Sequence, residues 1–208
     1  MTKKHTYKLV VLTLLMGLLH LKGIAQTYPV NSNVVLIPPY SLKIQDYYEP
    51  GSNNLQVNLL LNDLTVISYD VKLRVVIRSS GSIIATTQGF KPLTPVSLQG
   101  GVPKNLSGTD LAPYLDFDNL TFQGITKAQI QQNGGKLPEG VYQFSVEVYD
   151  YNLNVPVSNS GQVAAWLVLN DPPFLNLPTD TSKPIAIDPQ NMIFQWTPRH
   201  LGSPNSSF

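Results

Sequence analysis

The sequence predicts an all-β protein: an Ig-like or fibronectin-like β-sandwich with one short helix, followed by the opening strands of a second, incomplete sandwich. Three observations predict this class. Apolar and polar residues alternate with a period of two in several segments, and no long stretch has a helical repeat. The 17 prolines and 14 glycines of the 208-residue chain also place turn formers between those segments.

Residues 1–25 are expected to be a secretory signal peptide. Basic residues precede an apolar run at 9–19, and small residues lead to a predicted cleavage after Ala25. The run is about half as long as the roughly 20 residues that a bilayer span needs. We therefore expect an exported protein in the periplasm, on the outer-membrane surface or outside the cell, with no membrane span after cleavage.

Period-2 alternation predicts the strands in chain order. It is clearest in three segments, at 55–61, 69–78 and 141–149. Weaker alternation predicts further strands at 33–37, 81–88 and 162–170. The last of these is almost wholly apolar, which is typical of a central strand covered on both faces. Trp166, which lies within it, is therefore expected in the core.

Turn residues and one helix connect these strands. Residues 79–81, Ser-Ser-Gly, are expected to close a hairpin, and Pro138 and Gly140 predict a turn before the strand at 141–149. The helix is expected at 126–135, where Thr126 supplies an N-cap and two glycines end it. Residues 89–125 are rich in proline and glycine and are expected to form a long functional or partner-contacting loop.

Four segments describe the predicted domain organisation. They are the signal peptide at 1–25, a β-sandwich domain at 26–170, a Pro-rich linker at 171–184 and the start of an incomplete fibronectin-type-III-like domain at 185–208. In the last segment Met192, Phe194 and Trp196 alternate with other residues, as in a strand. The sequence is expected to be the N-terminal piece of a longer protein. The alternative is a strand donated to a partner's sheet.

Composition excludes several classes of function. Four of the 14 basic residues fall within 1–25, so the 10 that remain against 13 acidic residues give the mature chain a net charge of −3. A chain with no basic excess is not expected to bind nucleic acid. There is no cysteine, and of the three histidines only His200 follows the signal peptide. A catalytic triad, a histidine zinc site, an enzyme activity and a cofactor are therefore not expected.

Two groups of oxygen-bearing side chains are candidate sites. Asp110, Asp116 and Asp118 are close in sequence, but they are expected to serve turns rather than form a glycosidase pair. Asp150–Asn154 places oxygen ligands at alternate positions, as in the first half of a calcium loop. A glycine and a closing glutamate are missing, and a hairpin turn explains the segment equally well.

Three tyrosines, Tyr40, Tyr47 and Tyr48, are the candidate contacts for a ligand or partner. Clustered tyrosines can stack on sugar rings, or they can cover the edge of a core.

Three stretches resemble the N-terminal region of TANFOR-domain-containing secreted and surface proteins of Bacteroidota. They are VLIPPYSLKIQDYYEPGSNNLQVNLLLND, LPEGVYQFSVEVYDYN and IFQWTPRH. The resemblance covers residues 30–200 and implies a β-rich domain followed by a fibronectin-type-III-like region whose early strand carries the pattern of Phe194 and Trp196. It implies a place at the cell envelope and an association with type IX secretion or gliding, but no functional residue.

The expected function is that of an exported non-enzymatic scaffold or interaction module at the cell surface or outer membrane, with protein partners in the cell envelope. The alternative is a carbohydrate-binding module that uses exposed tyrosines.

Overall fold

The computed structural model describes residues 28–169, 174–179, 183, 185, 188–189 and 191–197. The signal peptide, its cleavage site after Ala25, and His200 lie outside the described residues.

Eleven strands make up most of the regular structure of the described residues. They are β1 (Val30–Leu36), β2 (Leu55–Leu61), β3 (Tyr69–Ser79), β4 (Ser82–Thr86), β5 (Val96–Leu98), β6 (Lys104–Ser107), β7 (Leu120–Gln123), β8 (Gly140–Asp150), β9 (Gly161–Leu167), β10 (Phe174–Leu177) and β11 (Gln195–Thr197). The helices are α1 (Ala112–Leu115) and α2 (Lys127–Gln132), and 3-10 turns occupy Ile44–Tyr47, Gly108–Leu111 and Phe117–Asn119.

Two antiparallel sheets form the all-β sandwich. The small sheet has the order β1-β2-β6, and the large sheet has the order β7-β4-β3-β8-β9, with β5 paired to the first residues of β3. Apolar side chains from both sheets belong to a single core cluster. Strands β10 and β11 form a separate two-stranded antiparallel sheet, hereafter the ribbon.

The strongest sequence predictions are confirmed because their alternation reports one-sided burial. In β2, Leu55, Val57, Leu59 and Leu61 are buried while the residues between them are partly exposed. Strand β8 follows the same rule from Tyr142 to Val148, except that Ser145 is also buried. Strand β3 is more continuously buried, since Lys72 and Val76 on its outer face are covered as well.

The prediction of a central position for β9 was wrong. Strand β9 is an edge of the large sheet and pairs only with β8 there. Its outward side chains, Gln162, Ala164 and Trp166, are exposed, and 55% of the Trp166 surface is accessible. Trp166 therefore lies on the surface rather than in the core.

The prediction of a long loop at 89–125 was also wrong. This segment supplies three short strands, β5, β6 and β7, and the helix α1. Five of its side chains are fully buried in the core, and they are Leu98, Leu106, Leu111, Tyr114 and Leu115. The segment is thus a structural part of both sheets.

Helix α2 begins as predicted after Thr126, but it ends at Gln132, before the two predicted glycines. Thr126 and Gln129 form a reciprocal capping box, and Asn133 follows the last helical residue. Gly134 and Gly135 both have positive φ and reverse the chain toward the turn before β8. Helix α1 adds a single further turn.

The ribbon partly overlaps the predicted linker. Strand β10 lies inside 171–184, where a linker without regular structure was expected. Trp196 lies in β11, whereas Met192 and Phe194 precede that strand. The strand expected around 192–196 therefore has a partner in this chain.

The two sheets meet along one side, where β1 runs beside the segment that leads into β9. The Val30 N–H donates to the Val157 carbonyl at 3.0 Å, and Val30 forms a parallel bridge with Ser158. Gly161 completes this contact because a Cβ there would lie 2.8 Å from the Ser32 carbonyl oxygen. We call this junction the seam.

Candidate functional site

The three candidate tyrosines do not form one exposed platform. Tyr47 ends the 3-10 turn and is 1% exposed, with its ring packed edge-on to Phe144 at 5.4 Å between centroids. Its hydroxyl donates to the Ser41 carbonyl at 2.8 Å and accepts from the Ser41 N–H at 3.0 Å. Burial raises the pKa of Tyr47 to about 12. Tyr47 is therefore a core residue and not a surface contact.

Tyr40 and Tyr48 are partly buried and pack against the same core. Small hollows of about 320 and 230 Å³ flank Tyr40. The polar groups there serve the local fold: the Asn54 amide donates to the Ile37 and Pro39 carbonyls, and the Ser41 hydroxyl donates to Asp46. The polar groups of this corner therefore stabilise the local backbone through hydrogen bonds.

The acidic candidates are each engaged by a turn or a surface pair. Asp110 completes a capping box with Ser107. Asp116 accepts the Asp118 N–H at 2.9 Å. Asp118 pairs with the Lys127 ammonium at 2.6 Å, and this interaction lowers the pKa of its carboxyl. The three residues do not converge across a cleft.

Asp150–Asn154 forms a tight turn between β8 and the seam. One carboxylate oxygen of Asp150 accepts the N–H groups of Asn152 and Leu153 at 2.8 and 2.7 Å, and the other accepts the Tyr69 hydroxyl at 3.0 Å. These bonds lower the pKa of Asp150, chiefly through the Leu153 N–H. Both carboxylate oxygens accept hydrogen bonds from the protein, as the hairpin interpretation expects. Within the described parts of the chain, no group of three His, Asp or Glu side chains is placed to hold a metal ion.

A further cleft was not predicted from the sequence. It has a volume of about 860 Å³ and lies at one end of the large sheet. Its walls are the turn between β3 and β4, helix α2, and residues 136–143, which lead into and begin β8. Since the walls come from distant segments with no shared motif, only the fold brings them together.

Polar side chains, apolar side chains and bare backbone line this cleft. The polar side chains include amides, hydroxyls and both charges, among them Arg78, Ser79, Ser80, Ser82, Gln129, Asn133, Lys136, Glu139 and Gln143. Gly81 and Gly124 also line it, and a Cβ on Gly124 would lie 1.8 Å from the Gly81 carbonyl oxygen. Close approach of these two backbones therefore requires glycine at position 124.

An exposed indole lies beside this cleft. Val141 lines the cleft, is 65% exposed, and stands directly opposite Trp166 in the β8–β9 ladder. Opposed residues in antiparallel strands have Cβ atoms about 5 Å apart. Trp166 is thus at the margin of the cleft, with the small side chain of Ala164 two residues away on the same face.

No known protein family, curated protein or solved structure that was compared with this chain gives a match. In the described segments, no helix is long and apolar enough to cross a membrane.

Proposed function

We propose that this protein is an exported, non-catalytic β-sandwich module that binds protein partners at the cell surface or outer membrane. The observation that carries the proposal is the ribbon, because all seven residues of β10 and β11 are exposed. The apolar side chains in and beside it include Phe174, Phe194 and Trp196, with exposed fractions of 61%, 57% and 56%.

A ribbon of this kind is expected to bury its apolar side chains against a partner. Two strands alone are marginally stable in water, and contiguous apolar surface marks interaction sites. Strand edges also offer unpaired N–H and C=O groups to a neighbouring sheet. The expected partner is therefore a β protein with an apolar face or a free strand edge.

The arrangement of the carboxylates supports binding rather than turnover. Asp116, Asp118 and Asp150 all use their oxygens for turns, N–H groups or an ion pair. A hydrolytic mechanism instead needs two carboxyls converging on one substrate bond.

The proposed location follows from the predicted signal peptide and from the resemblance to TANFOR-domain proteins. An association with type IX secretion or gliding belongs to the same proposal. N-terminal sequencing of the protein from its own cells should begin at Gln26. Protease added to intact cells should then degrade the protein if it is on the surface.

Site-specific photo-cross-linking in those cells tests the partner proposal. Benzoylphenylalanine at position 194 should give a discrete adduct with an envelope protein. Leu93 provides the matched control because its apolar side chain is fully exposed on the sandwich. An adduct from 194 but not from 93 supports the ribbon as the interface. The absence of any adduct from 194, or equal adducts from both positions, contradicts it.

The alternative is a carbohydrate-binding module that uses the three tyrosines. It has less support because Tyr47 lies in the core and is not accessible to a sugar.

A further inference from the structure

We infer that the cleft between the β3–β4 turn and α2, together with Trp166 at its margin, is a binding site for an oligosaccharide. This site is on the sandwich and is distinct from the ribbon, and Lys136 lines both this cleft and the hollow beside Tyr40. The site adds a ligand of a different chemical class to the proposed protein partner.

The indole supplies the first requirement for a sugar. More than half of the Trp166 surface is accessible, and the residue lies on an edge strand of the sheet. The face of an aromatic ring is electronegative, so it attracts the weakly positive C–H groups on the flat side of a pyranose. A sugar stacked on Trp166 would have its neighbouring unit about 5 Å away, at Val141 and the cleft.

The cleft supplies the second requirement, which is hydrogen bonding to hydroxyl groups. Gln129 uses its carbonyl oxygen to cap α2, and Asn133 uses its amide nitrogen to bond the Lys136 carbonyl. Among the described residues, the Gln129 amide nitrogen, the Asn133 carbonyl oxygen and the Lys136 ammonium have no partner. Neutral amides with unused donors and acceptors suit the hydroxyls of a sugar, which both donate and accept.

The balance of charge favours a sugar over an acidic macromolecule. Arg78 and Lys136 are offset by Glu139, whose carboxylate accepts the Leu169 N–H at 2.8 Å. One excess positive charge is too few for a polyanion, whose binding needs several cations.

The chain offers a matched pair of variants for the test. Its two tryptophans are almost equally exposed, Trp166 at 55% beside the cleft and Trp196 at 56% in the ribbon. The purified full chain is titrated with neutral hexasaccharides of glucose, xylose, mannose and N-acetylglucosamine, and with oligogalacturonate as a polyanion that should bind more weakly than the neutral ligand. Tryptophan fluorescence and isothermal titration calorimetry report binding.

We expect at least one of these probes to bind. Trp166→Ala should weaken its binding about tenfold or more, while Trp196→Ala should leave the Kd unchanged. Lys136→Ala should weaken the binding of a neutral probe less than Trp166→Ala does, because a neutral sugar needs no charge partner. Thermal unfolding of each variant checks that the exposed substitutions leave the fold intact.

The inference is overturned if no probe binds at millimolar concentration, or if the two tryptophan variants lose affinity equally. Neither result bears on the cross-linking test at position 194, so the sugar site and the protein-partner proposal fail separately.

Discussion

The side-chain amide of Asn159 pairs with both backbone groups of Ser32. Its carbonyl oxygen accepts the Ser32 N–H at 2.9 Å, and its amino group donates to the Ser32 carbonyl at 2.9 Å. The two residues are 127 positions apart, and Ser32 is almost fully buried. A side chain thus takes the place of a neighbouring strand at the seam and satisfies backbone groups that would otherwise lack a partner.

Replacing Asn159 with alanine should destabilise the protein by about 1–3 kcal/mol, because a buried N–H and a buried carbonyl lose their partners. Chemical denaturation of the purified chain measures this change. Asn152→Ala is the control, since the Asn152 side chain only accepts an exposed hydrogen bond from Lys91. Equal stabilities for the two variants would show that the amide pairing contributes nothing.

Thr86→Val should destabilise the protein by a similar amount. The buried Thr86 hydroxyl accepts the Val75 N–H at 3.0 Å and donates to the Tyr114 carbonyl at 2.9 Å. Valine keeps the shape but leaves both backbone groups unsatisfied, at a cost of about 1–3 kcal/mol. The neighbouring exposed Thr87, whose hydroxyl donates to Asn119, provides the control variant Thr87→Val. If both variants unfold at the same denaturant concentration, the link between β3 and α1 is not stabilising.

Stability should fall as the pH rises from about 10 to about 12. Burial raises the pKa values of Tyr47 and Tyr114 to about 12, from an ordinary value of 10.0. In this range the unfolded chain has lost protons that the folded protein keeps, so each tyrosine lowers the free energy of unfolding by up to about 1.4 kcal/mol per pH unit. Below pH 10 the contribution of each is complete.

Tyr47→Phe tests this assignment. The variant should lose about 1 kcal/mol at pH 8, from the two hydrogen bonds to Ser41, and should show a shallower decline above pH 10. Urea denaturation of both proteins at intervals from pH 8 to 11 gives the two slopes. Parallel curves across the alkaline range would contradict a buried, protonated Tyr47.

Calcium should not stabilise the protein through Asp150–Asn154. The carboxylate of Asp150 already accepts three hydrogen bonds, from Asn152, Leu153 and Tyr69. Asp150→Asn should therefore cost about 1–3 kcal/mol at pH 7, equally in millimolar calcium and in chelator. A calcium-dependent rise in the unfolding temperature, abolished in the variant, would show that this turn is a metal site.

The stabilising contribution of the Asp150 carboxylate should also depend on pH in the acid range. Its pKa is lowered in the folded state, so its contribution is present at neutral pH and is lost as the pH falls through that lowered pKa. The difference between the protein and Asp150→Asn should shrink in strong acid. A constant difference from pH 7 to pH 2 would contradict the assignment.

Sequence alone predicted the strands with one buried face, because strict alternation in β2 directly reports which side chains face the core. The sequence did not predict that β9 is an edge strand. An apolar edge strand and an apolar central strand have the same sequence pattern, and only the strand pairing distinguishes them. The sequence missed β5, β6 and β7 because strands of three or four residues are too short to display a period.

The candidate sites were harder to predict than the fold. The adjacent Tyr47 and Tyr48 differ in burial because a 3-10 turn directs one ring into the core, which composition does not reveal. The cleft depends on Gly81 approaching Gly124, and on Val141 standing opposite Trp166, and these are pairings between distant segments. Residue type indicates what a side chain can bind, but tertiary pairing decides whether it is accessible.

The seam also determines how the sandwich responds to mechanical load. Because β1 runs parallel to the segment entering β9, tension applied through the chain before Val30 and after Leu167 pulls the two segments past each other lengthwise. The Val30–Val157 bond and the two Asn159–Ser32 bonds are then sheared together rather than peeled one at a time. A sandwich closed in this way resists stretching along its own chain.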